Sequence, residues 1–173
     1  MKKTLFCALG LMMMVACGNK NEVPSRDDLA DQIASMEESL STFAVASNME
    51  HADSMIALYR MFFSNYPEDS LAPIYMMRSA EIQINTGSFE EGIATLDSIM
   101  ALYPGFEDVA VCHFLKGTAY EQNQQYDLAR EAYTEFITEY PDHVLAADTR
   151  KMLPFIGLTP EEQLEAIMAQ NKK

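Results

Sequence analysis

From Phe89 to Tyr103 the apolar residues Phe89, Ile93, Leu96, Ile99 and Met100 recur at intervals of three and four. That spacing puts them on one face of an α-helix and leaves the face in need of a cover. Upstream, Leu71 to Ile84 reads as a second helix, with Ser70 as its cap and Pro73 inside the tolerant first turn. Between the two, Asn85-Thr86-Gly87-Ser88 interrupts the pattern. Gly87 suits a left-handed position after a helix, and Ser88 stands at capping-box spacing from Glu91. The unit predicted is helix, turn, helix, proline.

The same grammar continues in both directions. Val109 to Asn123 predicts a first helix, Gln124-Gln125 a turn, and Tyr126 to Glu139 a second helix ending before Pro141. Gly117 and Ala129 are small where these two helices would cross, which lets their backbones approach. Towards the N-terminus, helices are expected from about Arg26 to Ala46, with Ser25 and Asp28 as a cap, and from about Met49 to Asn65. Towards the C-terminus, Val144 to Leu153 predicts a helix closed by Pro154. Thr159-Pro160-Glu161-Glu162 is a capping box that opens a last helix through about Gln170, striped by Leu164, Ile167 and Met168. These two final helices are expected to seal a stack.

Three Tyr-Pro pairs, Tyr66-Pro67, Tyr103-Pro104 and Tyr140-Pro141, fall 37 residues apart, each after a helix-period segment. Aligned on them, Tyr59, Leu96 and Tyr133 share one large apolar column, and Phe62, Ile99 and Phe136 another. Phe89 pairs with Tyr126, and small Gly92 with small Ala129. Internal periodicity of this length marks a stacked-repeat architecture, in which each unit hides its apolar face only against a neighbour.

Composition adds limits. The chain has 173 residues, 49% of them hydrophobic, with 12 Lys+Arg against 26 Asp+Glu and a formal charge of −14. The apolar fraction is enough for a folded domain, and the acidic balance argues against binding nucleic acid, which requires a basic face. Lys2 and Lys3 precede an uncharged apolar run, Thr4 to Ala16, that ends at Cys17, and this reads as a signal peptide. As a helix the run would span roughly 20 Å against a hydrocarbon core of roughly 30 Å, too short for a transmembrane anchor. Gly18 to Ser25 lacks apolar periodicity and reads as a tether. With Cys7 in the leader and Cys17 at its end, Cys112 is left as a single thiol inside a helical pattern, expected as a buried small hydrophobe.

No chemistry-bearing constellation stands out. His51, His113 and His143 sit in different segments, there is no HExxH or GxSxG, and Cys112-His113 lacks further ligands at zinc-finger spacing. Glu37-Glu38, Glu90-Glu91 and Glu161-Glu162 read as dipole complements and solvated faces, not as catalytic pairs. No enzyme activity, metal or cofactor is therefore expected.

The window from Ala110 to His143, with Gly117, Tyr120, Tyr126, Ala129, Tyr133 and Pro141 in place, resembles the tetratricopeptide repeat. The window from Pro73 to Phe106 follows through Ala80, Gly87, Phe89, Gly92, Leu96 and Pro104, and Met36 to Asp69 more weakly through Tyr59, Phe62 and Pro67. The resemblance implies an all-α, right-handed superhelix of antiparallel hairpins whose concave wall binds protein segments. It places groove positions at Met77, Glu81 and Ile84, at Phe114, Thr118 and Glu121, and at Leu40 in the weak first repeat. The alternative is that these side chains pack between repeats. The mixed apolar and acidic wall suits a partner with apolar anchors and Lys or Arg.

Met14-Val15-Ala16-Cys17-Gly18 likewise resembles the bacterial lipobox, which implies cleavage before Cys17 and its lipidation; an ordinary signal peptide cut nearby is the alternative. Lipobox and repeats together are similar to envelope lipoproteins such as the barrel-assembly lipoprotein and to the Tol-Pal coordinator. Gly18 lacks the Asp that marks inner-membrane retention, so the outer membrane, facing the periplasm, is the expected address. The implied organisation is a signal peptide (1–16), lipidated Cys and tether (17–25), degenerate hairpin (26–69), two repeats (70–106 and 107–143) and capping helices (144–173). The expected role is a lipid-anchored scaffold that binds protein partners. Its rival is a structural or self-associating protein whose groove holds its own chain or a second copy.

Overall fold

A computed structural model describes residues 23–40 and 49–170. The expectations for the leader, for Cys17 and for residues 41–46 of the first helix lie outside the described residues. Within them the chain forms eight α-helices: α1 (Arg26–Leu40), α2 (Met49–Asn65), α3 (Ala72–Asn85), α4 (Phe89–Leu102), α5 (Val109–Gln122), α6 (Tyr126–Glu139), α7 (Ala146–Met152) and α8 (Pro160–Gln170). A 3-10 turn at Leu153–Phe155 follows α7, and no strand occurs among the described residues.

The 37-residue period is a property of the backbone as well as of the sequence. First helices start at Ala72, Val109 and Ala146, and second helices at Phe89 and Tyr126. The connectors after α2, α4 and α6 repeat one hydrogen-bond pattern. The amides of Asp69, Phe106 and His143 donate to the carbonyls of Tyr66, Tyr103 and Tyr140, and those of Ala72, Val109 and Ala146 donate to Asp69, Phe106 and His143. The proline after each tyrosine cannot extend the preceding helix, so each connector turns at the same place. Tyrosine hydroxyls then tie units together: Tyr66 donates to the Pro24 carbonyl at 2.9 Å and Tyr103 to the Pro67 carbonyl at 2.8 Å.

The turns within the two central hairpins are also alike. After α3, the Ser88 amide reaches the Gln83 carbonyl and the Gly87 amide that of Ile84; after α5, Gln125 reaches Tyr120 and Gln124 reaches Glu121. Both are Schellman closures, which need a left-handed residue. Gly87 supplies it freely at φ +86°, whereas Gln124 holds φ +58° with a side chain attached.

Successive helices pack in order from α1 to α7. The core runs through hairpins and between them: Met76, Ala80 and Ile84 of α3, Leu96 and Ile99 of α4, and Cys112 and Ala119 of α5 form one cluster. Every member of the two aligned columns is buried, Tyr59, Leu96 and Tyr133 in one, Phe62, Ile99 and Phe136 in the other. The small positions are used for close approach. A Cβ on Gly92 would fall 2.7 Å from the Ile84 side chain, and one on Gly117 would fall 2.6 Å from the Tyr133 ring. At Gly117 the close neighbour is thus an aromatic ring laid on the helix, not the opposing backbone.

Several local expectations are corrected. Ser70 does not cap α3; the Asp69 carboxylate accepts the Leu71 amide at 2.9 Å while also holding Arg26 Nε at 2.9 Å, so one side chain joins the starts of α1 and α3. Ser88 occupies the N-cap position of α4 without a side-chain bond. Pro154 lies inside the 3-10 turn and does not end α7. The capping box at Thr159 and Glu162 forms in both directions. Yet α8 does not seal the stack: Leu164, Ile167 and Met168 are 59%, 45% and 52% exposed. The end is covered by α7, through buried Ala146 and Thr149, and by Ile156, which packs on Ala129 and Tyr133.

Gly117→Leu is expected to destabilise the fold by about 3 kcal/mol, because the Tyr133 ring would have to leave its seat. Gly105→Leu, where an added Cβ meets nothing within 4 Å, is expected to change stability by no more than about 0.5 kcal/mol. Gln124→Gly should stabilise by about 0.5–1 kcal/mol by relieving the left-handed side chain. Urea unfolding of the three variants measures all of these, and equal effects at Gly117 and Gly105 would contradict the packing described.

Candidate partner-binding groove

First helices line the inner side of the stack. α3 touches α5 directly, while α4 and α6 make no comparable contact, so the curve closes on the α3 and α5 side. On that side a trough of about 290 Å³ is lined by Glu81, Ile84, Asn85, Leu115, Thr118 and Gln122.

The anticipated groove residues divide between this trough and the core. Glu81, Ile84 and Thr118 meet in it, although Ile84 is only 3% exposed and spends most of its surface on the core. Met77 is half-buried and packs partly on the same core cluster. Phe114 turns inward, its ring 5.4 Å from that of Tyr133 and 5.6 Å from that of Phe136. Glu121 accepts the Tyr133 hydroxyl at 3.0 Å, and that hydroxyl lies 3.2 Å from Thr118 Oγ1. In the second complete repeat, packing thus claims two of the three positions. Leu40 is the last residue of α1, and its side chain lies outside the described residues.

Asn85, Leu115 and Gln122 belong to the trough but were missed. Asn85 and Gln122 end α3 and α5 at equivalent positions, so alignment of the first helices by the 37-residue period could have found them. Leu115 corresponds in the same way to Arg78.

Arg78, also on α3, was overlooked as well. Its Nη1 donates to Glu37 Oε1 at 2.5 Å, the Tyr59 hydroxyl donates to the same oxygen at 2.6 Å, and the guanidinium lies over the Tyr75 ring at 5.8 Å. Glu37 is therefore a structural acceptor between α1, α2 and α3, which corrects its reading as a solvated face. Burial and the adjoining Glu37 carboxylate push the Tyr59 hydroxyl well above the usual tyrosine range.

Glu81 differs from Glu37 in having no hydrogen bond from any described side chain. Burial raises its carboxyl above the ordinary glutamate value, and the charge of Arg78 offsets this only in part. Cys112, fully buried, has its thiol pushed up to about 12 by burial and so stays protonated and unreactive.

The Glu81 shift has a definite sign. The folded chain holds this proton more tightly than the unfolded chain does, so ionising Glu81 costs stability as pH rises through and above the unfolded value. Glu81→Gln is therefore expected to raise the urea midpoint at neutral pH and to leave it unchanged below a pH of about 3, where both states are protonated. An equal shift at both pH values would refute this account.

Comparison with known proteins accords with this geometry. No curated protein and no solved structure matches the chain. Residues 112–143 match the model of the family described as tetratricopeptide repeat, and that stretch covers most of α5, all of α6 and most of the connector after it. Residues 112–143 are therefore similar to a tetratricopeptide repeat, and they lie within a stack of helical hairpins that is all-α over the described residues.

Proposed function

We propose that this protein is a lipid-anchored envelope adaptor that holds a segment of another protein along the α3 and α5 wall, without turnover. The observation that carries the reading is the trough around Glu81, a half-buried carboxylate with no hydrogen-bonded partner among the described residues, flanked by apolar Ile84 and Leu115 and by the amides Asn85 and Gln122. A Lys or Arg beside an apolar anchor would satisfy both the charge and the surface. Tetratricopeptide repeats commonly serve as protein-binding scaffolds, which supports the same class of function.

Anchoring through Cys17 rests on the lipobox resemblance. No helix among the described residues is long and apolar enough to cross a membrane. The hydrogen bond from Tyr66 to Pro24 ties the end of the tether to the first hairpin. A Cys17 anchor would therefore lie within about 25 Å of that edge, seven residues at full extension. The address proposed is the outer membrane, facing the periplasm.

A second reading is favoured by one feature, the exposed stripe of Leu164, Ile167 and Met168 on α8, which would suit self-association. Sedimentation over a range of concentrations separates the two, since an adaptor of the kind proposed stays monomeric without its lipid.

Two measurements test the main reading. Peptides carrying Lys or Arg next to apolar residues should bind the full chain with an affinity that falls with salt, and Glu81→Lys should weaken them at least about tenfold, the scale of a lost charge-assisted contact. Glu131→Lys, on the exposed side of α6, should not; equal losses would remove the groove from the proposal. Cys17→Ser should shift the protein out of the membrane fraction, and unchanged fractionation would refute the anchor.

A further inference from the structure

We propose that His113, Glu135 and Glu139 form a binding site for a divalent d-block cation, with Zn²⁺ the best match to their chemistry. The three residues come from two helices. Glu135 and Glu139 lie one turn apart on α6, and His113 faces them from α5. One ligand atom from each lies within 4.8 Å of the others, and His113 Nε2 is 3.7 Å from Glu139 Oε2. Ligand atoms around a bound zinc sit about 2.0–2.2 Å from it and hence roughly 3.3–3.6 Å from one another, which side-chain movements of about 1 Å would reach here.

The surroundings favour an ion over a simple ion pair. The His113–Glu139 separation is too long for a hydrogen bond. Like charges four residues apart on a helix repel, and Lys116, whose charge also acts on Glu135, makes its ion pair with Asp97 at 2.6 Å. Arg130, on the same helix, is directed to Asp127 and to the Ile156 carbonyl. Two carboxylates face an imidazole that is only 15% exposed and packed 5.2 Å from the Tyr140 ring, with no direct ion pair to Lys or Arg among the described residues. A divalent ion would neutralise both and leave a coordination position open on the solvent side. One nitrogen and two carboxylate oxygens suit zinc, whereas calcium and magnesium take oxygen alone. The site would staple α5 to α6 within the repeat at residues 112–143, independently of the α3 and α5 groove.

The test uses the purified full chain stripped with EDTA and titrated with ZnCl₂ by calorimetry, with CoCl₂ as a spectroscopic probe. Expected are one saturable zinc per chain, a thermal midpoint that rises with zinc concentration, and visible Co²⁺ absorption of a low-coordinate nitrogen and oxygen site. Glu135→Gln, Glu139→Gln and His113→Ala should each weaken binding at least about tenfold, while His143→Ala should bind as before, because His143 Nδ1 already accepts the Leu145 amide. The two glutamine variants remove a charge at exposed positions, so they keep the test decisive should His113→Ala misfold. Absence of saturable zinc binding would overturn the proposal. Binding that survives loss of either carboxylate, or calcium and magnesium binding of equal strength that ignores His113, would overturn it too.

Discussion

No hairpin in this chain can bury its apolar face by itself, and the rest of the structure follows from that constraint. One core cluster draws on α3, α4 and α5 at once, so the surface covered when α3 meets α4 is completed only when the next first helix arrives. Burial is worth roughly 25 cal/mol per Å² of apolar surface, and this gain is realised within each hairpin and again between neighbouring hairpins. The buried columns Tyr59, Leu96, Tyr133 and Phe62, Ile99, Phe136 are the contact points of that arrangement. Gly92 and Gly117 keep the helices close enough for those points to meet. A repeat spacing that drifted by even one residue would rotate each column by about 100° around its helix and out of the core.

The connectors convert this packing into register. Their shared backbone pattern starts each first helix at the same offset from the Tyr-Pro pair, and the Tyr103 hydroxyl reaches back to Pro67 of the preceding unit as that of Tyr66 does to Pro24 at the end of the tether. Tyr140 behaves differently. Its ring packs on His113 and Phe136 and so forms one wall beside the cluster of His113, Glu135 and Glu139. A residue that serves register in two repeats contributes to a local polar site in the third.

Polar groups on the inner wall divide in the same way between structure and exposure to a partner. Glu37 is saturated by Arg78 and Tyr59, and Glu121 by Tyr133; both hold helices together. Glu81 carries the same charge at a comparable depth without a hydrogen bond from any described side chain, which makes it costly for the folded chain and available to a ligand. Differences of this kind mark a binding position more reliably than exposure does, since Phe114 was as plausible a groove residue as Glu81 until its ring was seen against Tyr133 and Phe136.

Helix limits, hairpin turns and the repeat period were legible from sequence alone, because each rests on short-range chemistry: the three-and-four spacing of Phe89 to Met100, the left-handed Gly87, the prolines after Tyr66, Tyr103 and Tyr140. Local signals did mislead where a long-range partner competed, as when Asp69, bound to Arg26, took over the cap expected of Ser70. Tertiary structure alone decided what each helix face meets. It turned Phe114 and Glu121 towards Tyr133, left the stripe of α8 uncovered while Ile156 closed the stack, and brought His113 to Glu135 and Glu139 across two helices. The physical reason is that periodicity identifies an apolar or polar face, whereas its neighbour depends on how whole helices cross, and that is set by contacts distant in the chain.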